Sequence, residues 1–211
     1  MKAAQHALTL IESKQVLGLG TGRAVEALIQ LLPQIELPEV IVSSSQRTTQ
    51  ALSEVGISVT PFNEVDRIDL YLDGADQVLE TGVAIKGGGG AHTLEKCLAV
   101  ASNRFVGLID EAKLVKLFDF PVAVEVLDSV RSSVARQIAA QYGQPNYREG
   151  FVTDSNHVIL DITGISMLDP LLLEHSLQQI PGVLASGVFA ARRFDQLIIG
   201  SEASVRIINC Q

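Results

Sequence analysis

The sequence predicts an α/β fold: a Rossmann-like, mostly parallel sheet domain with an inserted ferredoxin-like α+β domain. Three observations predict it. Up to Phe120-Pro121, short runs of Val, Ile and Leu alternate with segments whose apolar residues recur at helical spacing. Beyond that point the order becomes strand-helix-strand-strand-helix-strand, the split ferredoxin-like arrangement. Two further apolar runs, 196–199 and 205–208, then return as strands to the first sheet. The expected division is 1–121 with 195–211 for the α/β domain, and 122–194 for the insertion.

Each element follows from its residues. Residues 2–13 read as a helix with Ala4, Leu8 and Ile11 near one face. Residues 15–19 form a short buried strand ending in Gly20-Thr21-Gly22, and Val25, Leu28, Ile29 and Leu32 mark the helix behind it, closed by Pro33. Strand 40–42 runs into Ser43-Ser44-Ser45, and the helix carrying Thr48 and Thr49 ends at Gly56. A third strand is expected at 57–59 before Pro61. A fourth, 68–72, is nearly all apolar, as a strand covered on both faces should be. A helix over 91–103 and a strand over 105–109 follow, the latter leading into Asp110, Glu111 and Lys113. In the insertion, the strands are 122–126, a hairpin of 147–153 with 157–162 around Asp154-Ser155-Asn156, and 183–189. Its helices are 129–142, with Val134, Ile138 and Ala139 inward, and 170–180.

Composition narrows the function. The chain is 47% apolar and 19% charged, which supports a real core. A net charge of -8 argues against a general nucleic-acid or anionic-membrane binder. Cys97 and Cys210 are the only cysteines and form no metal-type pair, and Cys97 reads as a small buried hydrophobe. The first twelve residues lack a signal-peptide pattern, and no apolar run approaches the ~20 residues of a membrane span, so the expected location is cytoplasmic.

The chemistry concentrates between Asp73 and Glu95. Strand 68–72 delivers Asp73-Gly74-Ala75-Asp76 to its C-terminal end, where open α/β sheets bind ligands. Lys86-Gly87-Gly88-Gly89-Gly90 then runs into the helix bearing Glu95. Polyglycine is tolerated where backbone must come close to something, although a charged-flanked linker reads the same way. A loop of amide donors, one ammonium and several carboxylates suits a small polar metabolite with exchangeable protons. Gly18-x-Gly20-x-Gly22 lacks the third glycine and the following acid of a dinucleotide site, leaving a phosphate-holding turn or a purely structural one. The hydroxyls at 43–45 and 48–49 are either helix caps or ligand contacts.

Gly20-Thr21-Gly22, Ser43-Ser44-Ser45 with Thr48-Thr49, Asp73-Gly74-Ala75-Asp76, Lys86-Gly87-Gly88-Gly89 and Glu95-Lys96 together resemble ribose-5-phosphate isomerase, type A. The likeness continues through Phe120-Pro121, Arg131 to Gln137, Val152-Thr153-Asp154 and Ile180-Pro181-Gly182-Val183, covering nearly the whole chain. It implies interconversion of ribose 5-phosphate and ribulose 5-phosphate in the non-oxidative pentose phosphate pathway. It also implies a homodimer or homotetramer and no metal or organic cofactor. Glu95 would be the base, with Asp73 and Lys86 also catalytic. Substrate contacts would come from Thr21, Gly22, Arg23, Ala24, Asp73, Gly74, Ala75, Asp76, Lys86, Gly87, Gly88, Gly89 and Lys113. On that reading Asp73 assists ring opening and shuttles a hydroxyl proton, and Asp76 orients a sugar hydroxyl or Lys86.

The chain departs from the family at Arg23-Ala24, where Ser-Thr is usual, and at Gly90, His92 and Leu94. Arg23 exchanges two hydroxyl contacts for a guanidinium that either holds phosphate bidentately or is a surface arginine on a site retuned for another ligand. His92 reads as a packed or solvated histidine ahead of an acid–base group. Two rival readings remain: an isomerase of another sugar phosphate, and a non-catalytic sugar-phosphate sensor, which would have no need of Glu95.

Overall fold

A computed structural model describes residues 2–201 and 204–210; the outermost bounds of the expected α/β domain, Met1 and Gln211, lie outside them. The chain opens with α1 (Lys2–Leu8), β1 (Val16–Leu19), α2 (Arg23–Ile29), β2 (Val40–Ser43) and α3 (Gln46–Glu54). Next come β3 (Ile68–Asp73), the short β4 (Gln77–Val78) and β5 (Ala84–Ile85), α4 (His92–Val100) and β6 (Ser102–Asp110). The insertion holds β7 (Val122–Val126), α5 (Arg131–Gln141), β8 (Gln144–Tyr147), β9 (Val158–Thr163), α6 (Pro170–Gln178) and β10 (Val183–Ser186). Then follow β11 (Val188–Phe189), β12 (Gln196–Gly200) and β13 (Val205–Asn209).

The main sheet has the order β13-β12-β6-β3-β1-β2 and is parallel except for β13. Its central strands are mostly apolar because both faces are covered, with Asp69 in β3 and Asn103 and Arg104 in β6 among the polar exceptions. On one side Leu17, Leu19, Leu70 and Leu72 pack with apolar residues of α1, α2 and α3. On the other, Tyr71, Phe105, Phe189 and Phe194 pack with Leu98 and Ala99 of α4, and Tyr71 stacks on Phe105 at 5.1 Å between ring centres. Since β1 lies between β2 and β3, the chain crosses from one side of β1 to the other. That is the switch point beyond which such sheets open a crevice.

The insertion forms an antiparallel sheet, β10-β7-β9-β8, with Val134 and Ile138 of α5 and Leu173 and Leu177 of α6 in its core. A third small sheet, β11-β5-β4, ties the two parts together beside Lys86, whose N–H donates to the Gly187 carbonyl at 2.8 Å.

Several expectations are corrected here. Residues 57–59 are not a strand: after Gly56 turns the chain, the segment reaches β2 through one hydrogen bond, Thr60 N–H to Ile41 O at 2.7 Å. The run 183–189 is two strands, because the chain passes from one sheet to another at Gly187. The hairpin partner of β9 is 144–147 instead of 147–153, with a loop between them in which Asn156 adopts a φ of 62°. α1 and α4 are shorter than expected at their C-terminal ends. Cys97 is exposed, since α4 buries the face of His92, Glu95, Leu98 and Ala99. Among the described residues no helix is long and apolar enough to cross a membrane.

Candidate active site

Beyond the C-terminal ends of β1, β3 and β6 lies a cleft of about 200 Å³. Thr21, Gly22, Arg23, Ala24, Gly74, Ala75, Asp76, Lys86, Gly87, Gly89, Glu95 and Lys113 all line it. Of the residues expected to touch substrate, Asp73 and Gly88 alone do not.

The floor is a buried charge array. Lys86 Nζ lies 2.8 Å from Asp73 Oδ2 and 3.2 Å from Glu95 Oε2, and also donates to the Gly74 carbonyl. The three residues are 3%, 0% and 5% exposed respectively. β5 delivers the lysine, β3 the aspartate and the first turn of α4 the glutamate. Burial would lower the Lys86 ammonium, but Asp73 and then Glu95 outweigh it and hold its pKa above the ordinary value. Burial first and Asp73 second push the Glu95 carboxyl from 4.5 up to about 8, against the lowering pull of Lys86. A carboxyl raised in this way suits a base working near neutral pH.

Asp73 lies beneath the cleft and not on its lining. Its Oδ1 accepts the N–H groups of Thr21 at 3.0 Å and Gly74 at 2.7 Å, and its Oδ2 accepts Tyr71 Oη at 2.7 Å beside Lys86. Burial and then the Asp73 charge hold the Tyr71 phenol well above its ordinary pKa, so it stays a donor. Gly20 is needed for this close approach, since a Cβ there would fall 1.9 Å from the Asp73 carboxyl carbon.

The hydroxyl cluster is also occupied internally. Thr21 Oγ1 donates to Ser45 Oγ at 2.8 Å, Thr48 Oγ1 donates to the Gly20 carbonyl at 2.7 Å, and Ser45 Oγ caps α3 by accepting the Thr48 N–H at 3.1 Å. Ser44, Ser45 and Thr48 are buried and brace the first turn from behind.

The glycine loop has two kinds of amide. Gly88 N–H donates to Asp76 Oδ2 at 2.8 Å. No hydrogen bond among the described residues uses the N–H of Gly87 or Gly89, both of which line the cleft. Gly87 is buried, where an N–H without a partner is uncommon unless something else is to bind there.

Arg23, Arg47 and Lys113 also line the cleft. Arg23 is exposed and only 3.5 Å from Asp110, a surface pair worth little. Lys113 donates to the Ala75 carbonyl at 2.5 Å, and burial lowers its pKa against the raising pull of Asp76. Arg47, Leu108, Ile109 and Asp110 also line the cleft and were not singled out as contacts from sequence. The position of Asp110 at a parallel strand's C-terminal end was a usable signal; Arg47, on α3, offered none.

His92 is packed away. It is wholly buried, with Nε2 3.3 Å from the Ala185 carbonyl, and burial followed by Lys96 lowers it to about 3, so it is neutral. Lys96 points away from the cleft to Glu174 of α6 and lies 4.4 Å above the Phe189 ring, pinning α4 to the insertion. Among the described residues no group of three His, Cys, Asp or Glu side chains is placed to hold a metal ion.

Comparison with known proteins gives consistent findings. The profile of the family described as ribose 5-phosphate isomerase A (phosphoriboisomerase A) matches residues 40–204. A ribose-5-phosphate isomerase A of Legionella pneumophila is 47% identical over 207 residues, covering 97% of this chain and 96% of the relative. Among solved structures, ribose 5 phosphate isomerase A from Neisseria gonorrhoeae superposes with a TM-score of 0.96 at 37% identity, covering 99% of this chain and 95% of the other. A D-ribose-5-phosphate isomerase solved in complex with phospho-erythronic acid gives a TM-score of 0.91 at 32% identity, covering 98% and 96%.

Proposed function

This chain belongs to the ribose 5-phosphate isomerase A family and interconverts D-ribose 5-phosphate and D-ribulose 5-phosphate, and we propose that the array Asp73–Lys86–Glu95 carries the proton transfer through an enediolate. The observation that carries this reading is Glu95, a buried carboxyl at the cleft floor with a raised pKa and an ammonium 3.2 Å away. In the open-chain aldose, the Glu95 carboxylate takes the proton from C2. The C–H electron pair forms the C1–C2 double bond, and the carbonyl pair moves onto O1. Lys86 and the free N–H groups of Gly87 and Gly89 hold that developing charge, the work of an oxyanion hole. A proton passes from O2 to O1, and Glu95 returns its own to C1, giving the ketose. Phospho-erythronic acid, bound by a relative, ends in a carboxylate that resembles such a planar anionic unit. The test is ketose formation from ribose 5-phosphate by wild type and Glu95→Gln with a chelator present.

Asp73 acts in this proposal as a positioning residue, because its four donors leave it no free face toward the cleft. It keeps Lys86 charged and in place, while Asp76 accepts from a sugar hydroxyl. Asp73→Asn is expected to reduce kcat by about 10²-fold. The loss should be equal on ribose 5-phosphate and on its 4-deoxy analogue, which cannot close a furanose ring. A loss confined to the cyclic sugar would restore a ring-opening role.

Arg23 and Lys113 receive the phosphate. As Arg23 is held only by a weak surface pair, it is free to turn to the ligand. Arg23→Ala should raise KM about three- to tenfold with kcat within twofold, the size of one exposed charge-assisted contact. An unchanged KM would place the phosphate elsewhere. The same proposal carries the division at 122–194, a cytoplasmic location, which rests on the sequence pattern, and a homodimer or homotetramer, which rests on the resemblance.

A further inference from the structure

We propose that Arg148, held by Asp161, is a positioning residue that aims the Gly89 N–H into the cleft from the inserted domain; this rests on the reading of the glycine-loop amides as the anion holders. Arg148 follows β8, and Asp161 lies on the paired strand β9 opposite Asn146, so the two meet as a diagonal cross-strand pair. The guanidinium is gripped from both sides of its fork: Nε donates to Asp161 Oδ2 at 2.8 Å and Nη2 to Asp161 Oδ1 at 2.5 Å. Its third nitrogen, Nη1, donates to the carbonyls of Gly87 at 3.0 Å and Gly88 at 3.2 Å.

The consequence lies in peptide geometry. In a trans peptide the C=O of one residue and the N–H of the next point in opposite directions. Fixing the Gly87 carbonyl toward Arg148 therefore sends the Gly88 N–H the other way, to Asp76. Fixing the Gly88 carbonyl likewise sends out the Gly89 N–H, one of the two amides with no partner among the described residues. A charged donor on a carbonyl also polarises its peptide unit, making the opposite N–H a stronger donor. The loop's own turn bond, Gly90 N–H to the Gly87 carbonyl at 3.0 Å, also restrains that first carbonyl, so the clamp's distinct share is the Gly88 carbonyl, in a run of glycines that otherwise has many conformations open to it. Phe151, stacked 5.3 Å from the Arg148 guanidinium, supports the same loop: a Cβ at Gly90 would fall 2.3 Å from its ring. The loop that meets substrate is thus shaped by a side chain some sixty residues away, on the other domain.

The test is steady-state kinetics of Arg148→Ala, Arg148→Lys and Asp161→Asn, corrected for folded enzyme, with calorimetric binding of phospho-erythronic acid. Arg148→Ala should lower kcat about ten- to a hundredfold, as for a misaimed donor. KM for ribose 5-phosphate should stay within threefold, and affinity for phospho-erythronic acid should fall in step with kcat. Arg148→Lys, which keeps the charge and loses the fork, and Asp161→Asn, which keeps the arginine and loosens it, should fall between. If Arg148→Ala does not fold, these two carry the test. A kcat within twofold of wild type in the folded variants, or a rise in KM alone, would overturn the clamp. Glu95→Gln run in parallel separates the two claims: retained turnover there defeats the underlying mechanism, whereas a dead Glu95→Gln beside a fully active Arg148→Ala defeats only the clamp.

Discussion

Glu95→Gln is expected to lower kcat about 10²–10⁴-fold, the share of a positioned acid–base group, while leaving the folded protein at least as heat-stable as the wild type. Both halves follow from the same burial. The carboxyl sits at the cleft floor with its pKa raised from 4.5 to about 8, so folding favours its protonated form. Stability from such a group is fully present below the unfolded pKa and is lost as pH rises through the folded one. Glutamine is never charged and escapes that loss. The Tm advantage of Glu95→Gln should therefore open from about pH 4.5 to about pH 8 and level off above. For a chain of this size each kcal/mol corresponds to about 2–4 °C. Wild-type kcat/KM should in turn show an acid limb well above the usual glutamate range, toward 8. Thermal melts and pH–rate profiles on the same preparations check this, and an acid limb near 4.5 would mean that a different group is the base.

How much of this was legible in the sequence depended on how local each cause was. The parallel strands declared themselves because burial on both faces demands runs such as Val40-Ile41-Val42 and Leu70-Tyr71-Leu72. Asp73, Asp76, Lys86 and Glu95 stood out because a strand end, a glycine loop and a helix start are all visible in one stretch. The full-length likeness to known isomerases removed the sensor reading that residue chemistry alone left open. The hydroxyls of Ser44, Ser45 and Thr48 were ambiguous, since a threonine that braces a turn and one that holds a ligand look alike until partners are known. The burial of Asp73 was hidden for the same reason: its donors come from residues 21, 71, 74 and 86. Arg148 gave no signal, because its target loop is brought to it only by the pairing of β5 with β11 and β8 with β9. The short β4 and β5 are two residues each, below any detectable period.

Lys86→Met should abolish turnover and also weaken the fold, and the way it weakens the fold distinguishes the array from a simple catalytic lysine. The wild-type ammonium is shared by two carboxylates at the buried floor of the cleft. Removing it leaves the buried Asp73 carboxyl without its charge partner, although Thr21, Gly74 and Tyr71 still donate to it. Breaking a buried pair from one side costs roughly 3–5 kcal/mol, or roughly 6–20 °C of Tm in a protein of this length. The deficit should widen as pH rises through about 8. Above that point the wild type holds an ionised Glu95 against Lys86, whereas the variant must keep the carboxyl protonated or bear a second uncompensated charge. Adding Asp73→Asn to Lys86→Met removes the stranded carboxylate, so the double variant should regain much of the lost Tm yet no activity. The coupling between the two sites then reads out the buried pair directly. Additive Tm losses, with no recovery in the double variant, would show that Asp73 and Lys86 do not act as a unit.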